Sequence, residues 1–409
     1  MSRSFLVINP FGIGDVLFST PLVRQLHEAH PDAKIYYLCN RRTSTFLKNH
    51  PLITKLFIYE RDEFRAAEKR SFWEGAWMLV TFLFSIWKEH IDVAIDLSLN
   101  SKFGLYAILA GIPVRAGFDH KKRGRFLNRK LPLEGFDSKH AAEYYLDVLS
   151  LIGITPRITP MEIYDDAESK AWADQAVTPN ELLKNPVILS GAQQCEGSPR
   201  EILRPTLSCE SKSQAQNDER VVSRQPVYKC IIGIAPCGGQ TFGASSGVKR
   251  WPEGHFAALI NRLVEHYPAQ ILIFAGPNEK TEIGNILAGL NPAAKEAVRD
   301  CSAGTLPQLI ALTGKCELFI SNDTGFLRFA DAHGKKSVSF FGPVDERVYG
   351  PFPLSAGRHR VLTHPMPCRP CYKRFRLSEC HHQVACMTGV TVDEAFHACE
   401  ELMLSGNFA

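Results

Sequence analysis

Short apolar runs alternate with helix-patterned segments twice over in this chain, and no other feature constrains its fold as much. Residues 5–9 form an apolar run that stops at Pro10-Phe11-Gly12-Ile13-Gly14-Asp15, after which Leu17, Leu22 and Leu26 recur at helical spacing. Residues 33–38, 55–59 and 93–97 read as further strands, and 141–152 as the helix that closes the first half. The second half repeats the pattern, with strands at 231–235, 270–275, 318–320 and 338–341 and helices at 252–266 and 306–312. Alternation of this kind predicts parallel sheets covered by helices on both faces. At 409 residues the chain is too long for one core, so two such units are expected. Open α/β sheets bind ligands at the carboxyl ends of their strands, which places the site in the cleft between the two units.

The boundaries follow the composition. The first domain takes residues 1–165, and 166–228 is a linker whose polar stretch 191–225 reads as a mobile insertion without apolar periodicity. The second domain takes 229–390, and 391–409 is a terminal helix and tail with Asp393 and Glu394 in its first turn, where the helix dipole favours them. The formal charge of +4 is too small to argue for nucleic acid. It is unevenly spread, however. Lys121, Lys122, Arg123, Arg125, Arg129 and Lys130 fall within one ten-residue stretch and would attract an anionic partner.

No signal peptide is recognisable, and the longest apolar run, 76–87, is shorter than the roughly twenty residues needed to cross a bilayer. The twelve cysteines are then expected as reduced thiols of a cytoplasmic protein. The apolar segment 72–87 reads as a core helix. Docking on the inner leaflet, together with the basic stretch, is the alternative.

Five places could carry chemistry. Gly12-x-Gly14 opens like a dinucleotide turn, but Leu17 stands where a third glycine would be, which disfavours NAD. The turn presents Asp15 at a helix start, as a cap or as a base kept ionised by the helix end. Lys249, in Gly247-Val248-Lys249-Arg250-Trp251-Pro252, follows a Gly/Ser-rich turn and suits a diphosphate as a point charge. Glu279 ends a strand where it could accept from ribose hydroxyls. Ser321-Asn322-Asp323-Thr324-Gly325 joins a strand to a helix, with Asp323 or Thr324 as N-cap, and aims backbone amides at a phosphate. Finally, Cys368, Cys371, Cys380 and Cys386 are enough thiols for a structural zinc, but only the first pair has knuckle spacing, and reduced structural thiols without a metal are the favoured reading.

Taken in order, Gly14-Asp15-Val16-Leu17 with Ser19-Thr20-Pro21-Leu22, Lys249-Arg250-Trp251-Pro252, Ser321-Asn322-Asp323-Thr324-Gly325 and Phe341-Gly342-Pro343-x-Asp345 resemble glycosyltransferase family 9, the ADP-heptose:lipopolysaccharide heptosyltransferases. The resemblance implies a GT-B fold of two Rossmann-like domains, the first holding the acceptor and the second the sugar nucleotide. It implies an inverting, metal-independent transfer of a heptose-like sugar from a nucleotide diphosphate, with ADP-heptose as donor, to an anionic lipid-linked saccharide at the inner membrane face. It casts Asp15 as catalytic base and Lys249, Asp323, Thr324 and Gly325 as donor-binding residues, with Ser245 as a phosphate-contacting hydroxyl. Gly12 and Gly14 shape the acceptor-side turn, and Lys122, Arg123 and Arg125 would face an anionic acceptor. The sequence departs from the family where His is common three residues after the Thr-Gly pair. Arg328 stands there, with Ala330 and Asp331 following, so Arg328 either replaces the histidine's contact with the donor or marks another donor. A diverged, non-catalytic sugar-nucleotide-binding protein is the competing reading.

Overall fold

The computed structural model describes residues 3–177, 228–238, 247–354 and 357–404. The polar stretch 191–225 and Ser245 lie outside the described residues. The first sheet consists of β1 (Ser4–Ile8), β2 (Lys34–Cys39), β3 (Lys55–Ile58), β4 (Val93–Asp96), β5 (Val114–His120) and β6 (Arg129–Leu133). The second consists of β7 (Cys230–Ala235), β8 (Ala269–Ile273), β9 (Val298–Asp300), β10 (Leu318–Asn322), β11 (Lys336–Phe340) and β12 (His359–Leu362). Their spatial orders, β3-β2-β1-β4-β5-β6 and β12-β11-β10-β7-β8-β9, are the same doubly wound order, and every neighbouring pair is parallel.

Helices on both faces leave the central strands buried on both sides. This is why β1 (Ser-Phe-Leu-Val-Ile) and β8 (Ala-Gln-Ile-Leu-Ile) are buried along their whole length. In each sheet the winding reverses between the first and fourth strands, β1/β4 and β7/β10, and ligands bind at such a reversal. Asp15 follows β1, and Asp323 follows β10. The two domains share packing across their cleft: Ile310, Phe329, Val348 and Phe352 of the second join the core built on β1 and β2. The terminal helix Val392–Leu404 packs its buried face, including Phe396 and Leu402, into the second domain's core.

One helix departs from expectation. The segment Phe72–Trp87 is helical, but only Gly75 and Ile86 are buried, so it is not a core helix. It pairs with the helix Arg61–Arg70 through Gly75, where a Cβ would come within 2.8 Å of the Glu68 side chain, and its other face is left to solvent.

Candidate active site

The site is built from the residues after β1 and β10. After β1, Gly12 caps the helix Ile13–Phe18 and Asp15 sits in its first turn, with its backbone carbonyl held by the Asn9 amide at 3.0 Å. Tyr145 donates a 3.1 Å hydrogen bond to Asp15 Oδ1 from the helix Ala141–Asp147. Burial raises the Asp15 carboxyl above its usual value, although Tyr145, Arg328 and Lys249 all pull it down. A helix end alone was expected to keep this carboxylate low. Desolvation outweighs it, which makes Asp15 a better proton acceptor than an exposed aspartate.

Across the cleft, Asp323 accepts from Lys249 Nζ and from Arg328 Nη2, each at 2.6 Å. Burial pushes the Asp323 carboxyl up, but the two cations together win and hold it below the ordinary range. Lys249 owes its place to its neighbours. Asn322 accepts from the Trp251 amide at 3.0 Å and donates to the Pro236 carbonyl at 2.5 Å, stitching the Lys-Arg-Trp segment to the ends of β7 and β10. Trp251 stacks on Phe340 with ring centres 4.2 Å apart. Thr324 is the N-cap of the helix Gly325–Ala332, accepting from the Leu327 amide, so the free amides of the first turn begin at Gly325.

Thr324 and Gly325 open onto a cavity of about 420 Å³ at the ends of β8, β9 and β10. Its walls are Phe274, Pro277, Leu306 and Phe326, with Glu279 at one side. A cavity of this size with apolar walls and a few polar groups suits a nucleoside. Glu279 accepts from the Gly276 amide at 2.7 Å, which fixes its carboxylate within the wall. Arg42 of the first domain also lines this cavity.

Arg328 is placed differently from the expectation that it would contact phosphate or sugar. Its guanidinium is 3% exposed and donates to Asp323 and to the carbonyls of Tyr349 and Gly350, the latter at 2.8 Å. It lies 5.2 Å from the Phe18 ring centre, against the first domain. One turn along the same helix, Asp331 accepts from the Phe352 amide at 2.6 Å. Both departures from the family pattern therefore grip one segment, 349–352. Asp345 starts the helix Glu346–Tyr349 that presents those carbonyls, and Gly342 is needed because a Cβ there would meet Met387 Sδ at 2.5 Å.

Gly12 and Gly14 have no positive φ, and a Cβ on Gly14 would lie 3.7 Å from the Arg328 side chain, an ordinary contact, so neither space nor backbone conformation demands glycine there. Lys122, Arg123 and Arg125 are exposed on the loop after β5 and are not brought to the Asp15 turn by any contact among the described residues. Cys368, Cys371, Cys380 and Cys386 line one void of about 20 Å³, room for a single small particle. Among the described residues no group of three or more His, Cys, Asp or Glu is arranged to hold a metal ion.

Sequence reasoning missed Tyr145, Arg42 and the cavity wall after β9. Thr305 and Gln308 form a capping box there, which is a readable helix-start signal. Nothing in the local sequence ties Tyr145 to a residue 130 positions away.

The profile of glycosyltransferase family 9 (heptosyltransferase) matches residues 83–382. Lipopolysaccharide heptosyltransferase 2 of Escherichia coli (strain K12) is 24% identical over 361 residues, 88% of this chain and 88% of that protein. The solved E. coli ADP-heptose lipopolysaccharide heptosyltransferase II superposes with a TM-score of 0.67 at 20% identity, covering 98% of this chain and 99% of that one. The family 9 glycosyltransferase of Veillonella parvula DSM 2008 gives 0.70 at 17% identity over 99% and 98%. Two doubly wound domains facing one cleft are the GT-B fold, and on the profile match this chain belongs to glycosyltransferase family 9 and is a glycosyltransferase.

Proposed function

We propose that the enzyme transfers heptose from ADP-heptose, with inversion, to a lipopolysaccharide core or another lipid-linked saccharide. The observation that carries this reading is the placement of Asp15 opposite the Lys249–Asp323 pair, with a nucleoside-sized cavity beside Thr324 and Gly325. Asp15 takes the proton of the acceptor hydroxyl as that oxygen bonds to the anomeric carbon. The bond from that carbon to the diphosphate breaks, and ADP leaves with the electron pair. Lys249 and the Gly325 end of the helix stabilise the departing charge from fixed positions, and Glu279 faces the ribose. Ser245 belongs to the same donor reading. The E. coli relative is named for ADP-heptose and lipopolysaccharide, which supports both substrates.

A thermal-shift panel of ADP, GDP, UDP and CDP tests the donor. ADP should give the largest shift, since a ligand stabilises by about RT ln(1 + [L]/Kd). A UDP or GDP preference overturns the reading.

The reading also places the enzyme in the cytoplasm, working on a glycolipid held at the inner face of the membrane. No helix among the described residues is long and apolar enough to cross a membrane.

For Cys368, Cys371, Cys380 and Cys386 reduced structural thiols are the reading and a zinc site the alternative, since among the described residues no group of three or more His, Cys, Asp or Glu is arranged to hold a metal ion. The segment carrying Tyr372 and Phe375 packs on Tyr349, His120 and Phe136 beside the site. Elemental analysis of protein purified without a histidine tag should find zinc well below one equivalent per chain, and about one equivalent overturns this reading.

A further inference from the structure

The helix Phe72–Trp87 has its amphipathic character turned inside out. At 3.6 residues per turn, Trp73, Trp77, Val80, Phe84 and Trp87 fall within about 80° of one another. All five are between 49% and 78% exposed. Gly75 and Ile86, its two buried residues, lie on the opposite side. Three tryptophans and a phenylalanine gathered on one solvent face are the kind of contiguous exposed apolar patch that marks an interaction surface.

The patch does not end with the helix. Trp87 lies over Gly111, whose Cβ position is 3.6 Å from the indole ring. Just before Gly111, the helix Ser101–Leu109 adds exposed Ile108 and Leu109. The same helix also meets the basic loop: a Cβ on Gly104 would stand 3.1 Å from Phe126. Lys121, Lys122, Arg123 and Arg125 on this loop are exposed and form no ion pair among the described residues. Lys130 is bound to Asp119. Within the aromatic helix the only charge is Glu74, already paired with Arg70, while Lys88 sits 4.5 Å from the Phe84 ring centre at the rim.

We propose that the aromatic helix and the basic loop of the first domain, linked through the helix Ser101–Leu109, dock on an anionic lipid bilayer. Tryptophan and phenylalanine insert at the headgroup level, where aromatic rings partition, and the lysines and arginines engage lipid phosphates. A second copy of the chain is a poorer occupant, since a two-fold contact would set each basic loop near a like-charged or uncharged surface. The proposal rests on the reading that the acceptor is a membrane glycolipid, because that substrate requires the first domain to meet the bilayer.

Co-sedimentation with vesicles free of any glycolipid separates the two claims. The full chain should pellet with phosphatidylcholine vesicles containing 30–40% phosphatidylglycerol, as about that fraction gives a strongly negative surface, and bind pure phosphatidylcholine at least tenfold more weakly. Trp77→Glu with Phe84→Glu should lower binding at least tenfold while leaving the melting temperature and its ADP shift unchanged. Lys121→Gln with Lys122→Gln and Arg123→Gln should weaken binding and flatten its salt dependence. The proposal is overturned if the parent stays in the supernatant, or if the double glutamate variant pellets like the parent. A dimer in sedimentation velocity that the glutamates abolish would assign the face to a second copy instead. Binding to these vesicles does not depend on the donor, so failure of the ADP panel and failure of docking are distinguishable.

Discussion

Asp15→Asn should fold normally and transfer sugar about 10³-fold more slowly, within the 10²–10⁴ range that a positioned base contributes. The amide keeps the shape and can still contact Tyr145, but it cannot take the hydroxyl proton. Its stability should be no lower than the parent's. Burial raises the native carboxyl above the unfolded value, so the ionised group costs stability as pH rises through that window, and the amide removes the cost. The same shift predicts the pH profile of kcat/KM. Below its raised pKa Asp15 is protonated and inactive, so the acid limb should lie above the 3.8 of a free aspartate. Tyr145→Phe removes a bond that favours the charged form, and the limb should then move to still higher pH. Asparagine activity within threefold of the parent would remove Asp15 from the mechanism.

Lys249→Gln should lower kcat by about 10² to 10³, the usual effect of deleting one fixed donor to a charge that develops in the transition state. It should also lower stability by less than about 3 kcal/mol. Asp323 then loses one of its two cations, whereas removal of the only partner of a buried ion costs more. The two effects can be separated. Lys249→Gln combined with Asp323→Asn removes the uncompensated charge and should recover melting temperature without recovering turnover. Arg328→Lys probes the other cation. A lysine cannot reach Asp323 and two carbonyls at once, so the 349–352 segment should loosen and thermal stability fall more than donor affinity. If Lys249→Gln leaves donor kcat/KM within fivefold, the phosphate reading of that side chain is lost.

Most of the architecture was legible because strands of a covered parallel sheet are largely apolar, and eight of the twelve, the edge strand β3 among them, can be read that way. β5, β6, β9 and β12 cannot. Three of these lie at sheet edges, and all carry charged residues, as in Arg-Lys-Leu-Pro-Leu of β6 and Val-Arg-Asp of β9. Edge strands are half-solvated, and their pattern is diluted accordingly. The candidate site was legible where its residues sit on turns after strands, as Asp15, Lys249, Glu279 and Asp323 do. Arg328 was visible as a departure, but its partners were not. The carbonyls of Tyr349 and Gly350 have no sequence signature, and the pairing with Asp331 through one shared segment is apparent only in three dimensions.

The sequence by itself determined two doubly wound domains, the loops that face each other and the family, because each depends on local periodicity, turn chemistry and ordered motifs. Only the tertiary structure decided that burial lifts Asp15 and that Arg328 turns inward to protein groups. It alone showed that the aromatic helix is outside the core. Those outcomes depend on which surfaces are removed from water, and a periodic apolar stripe reads the same whether it meets a protein core, a bilayer or solvent.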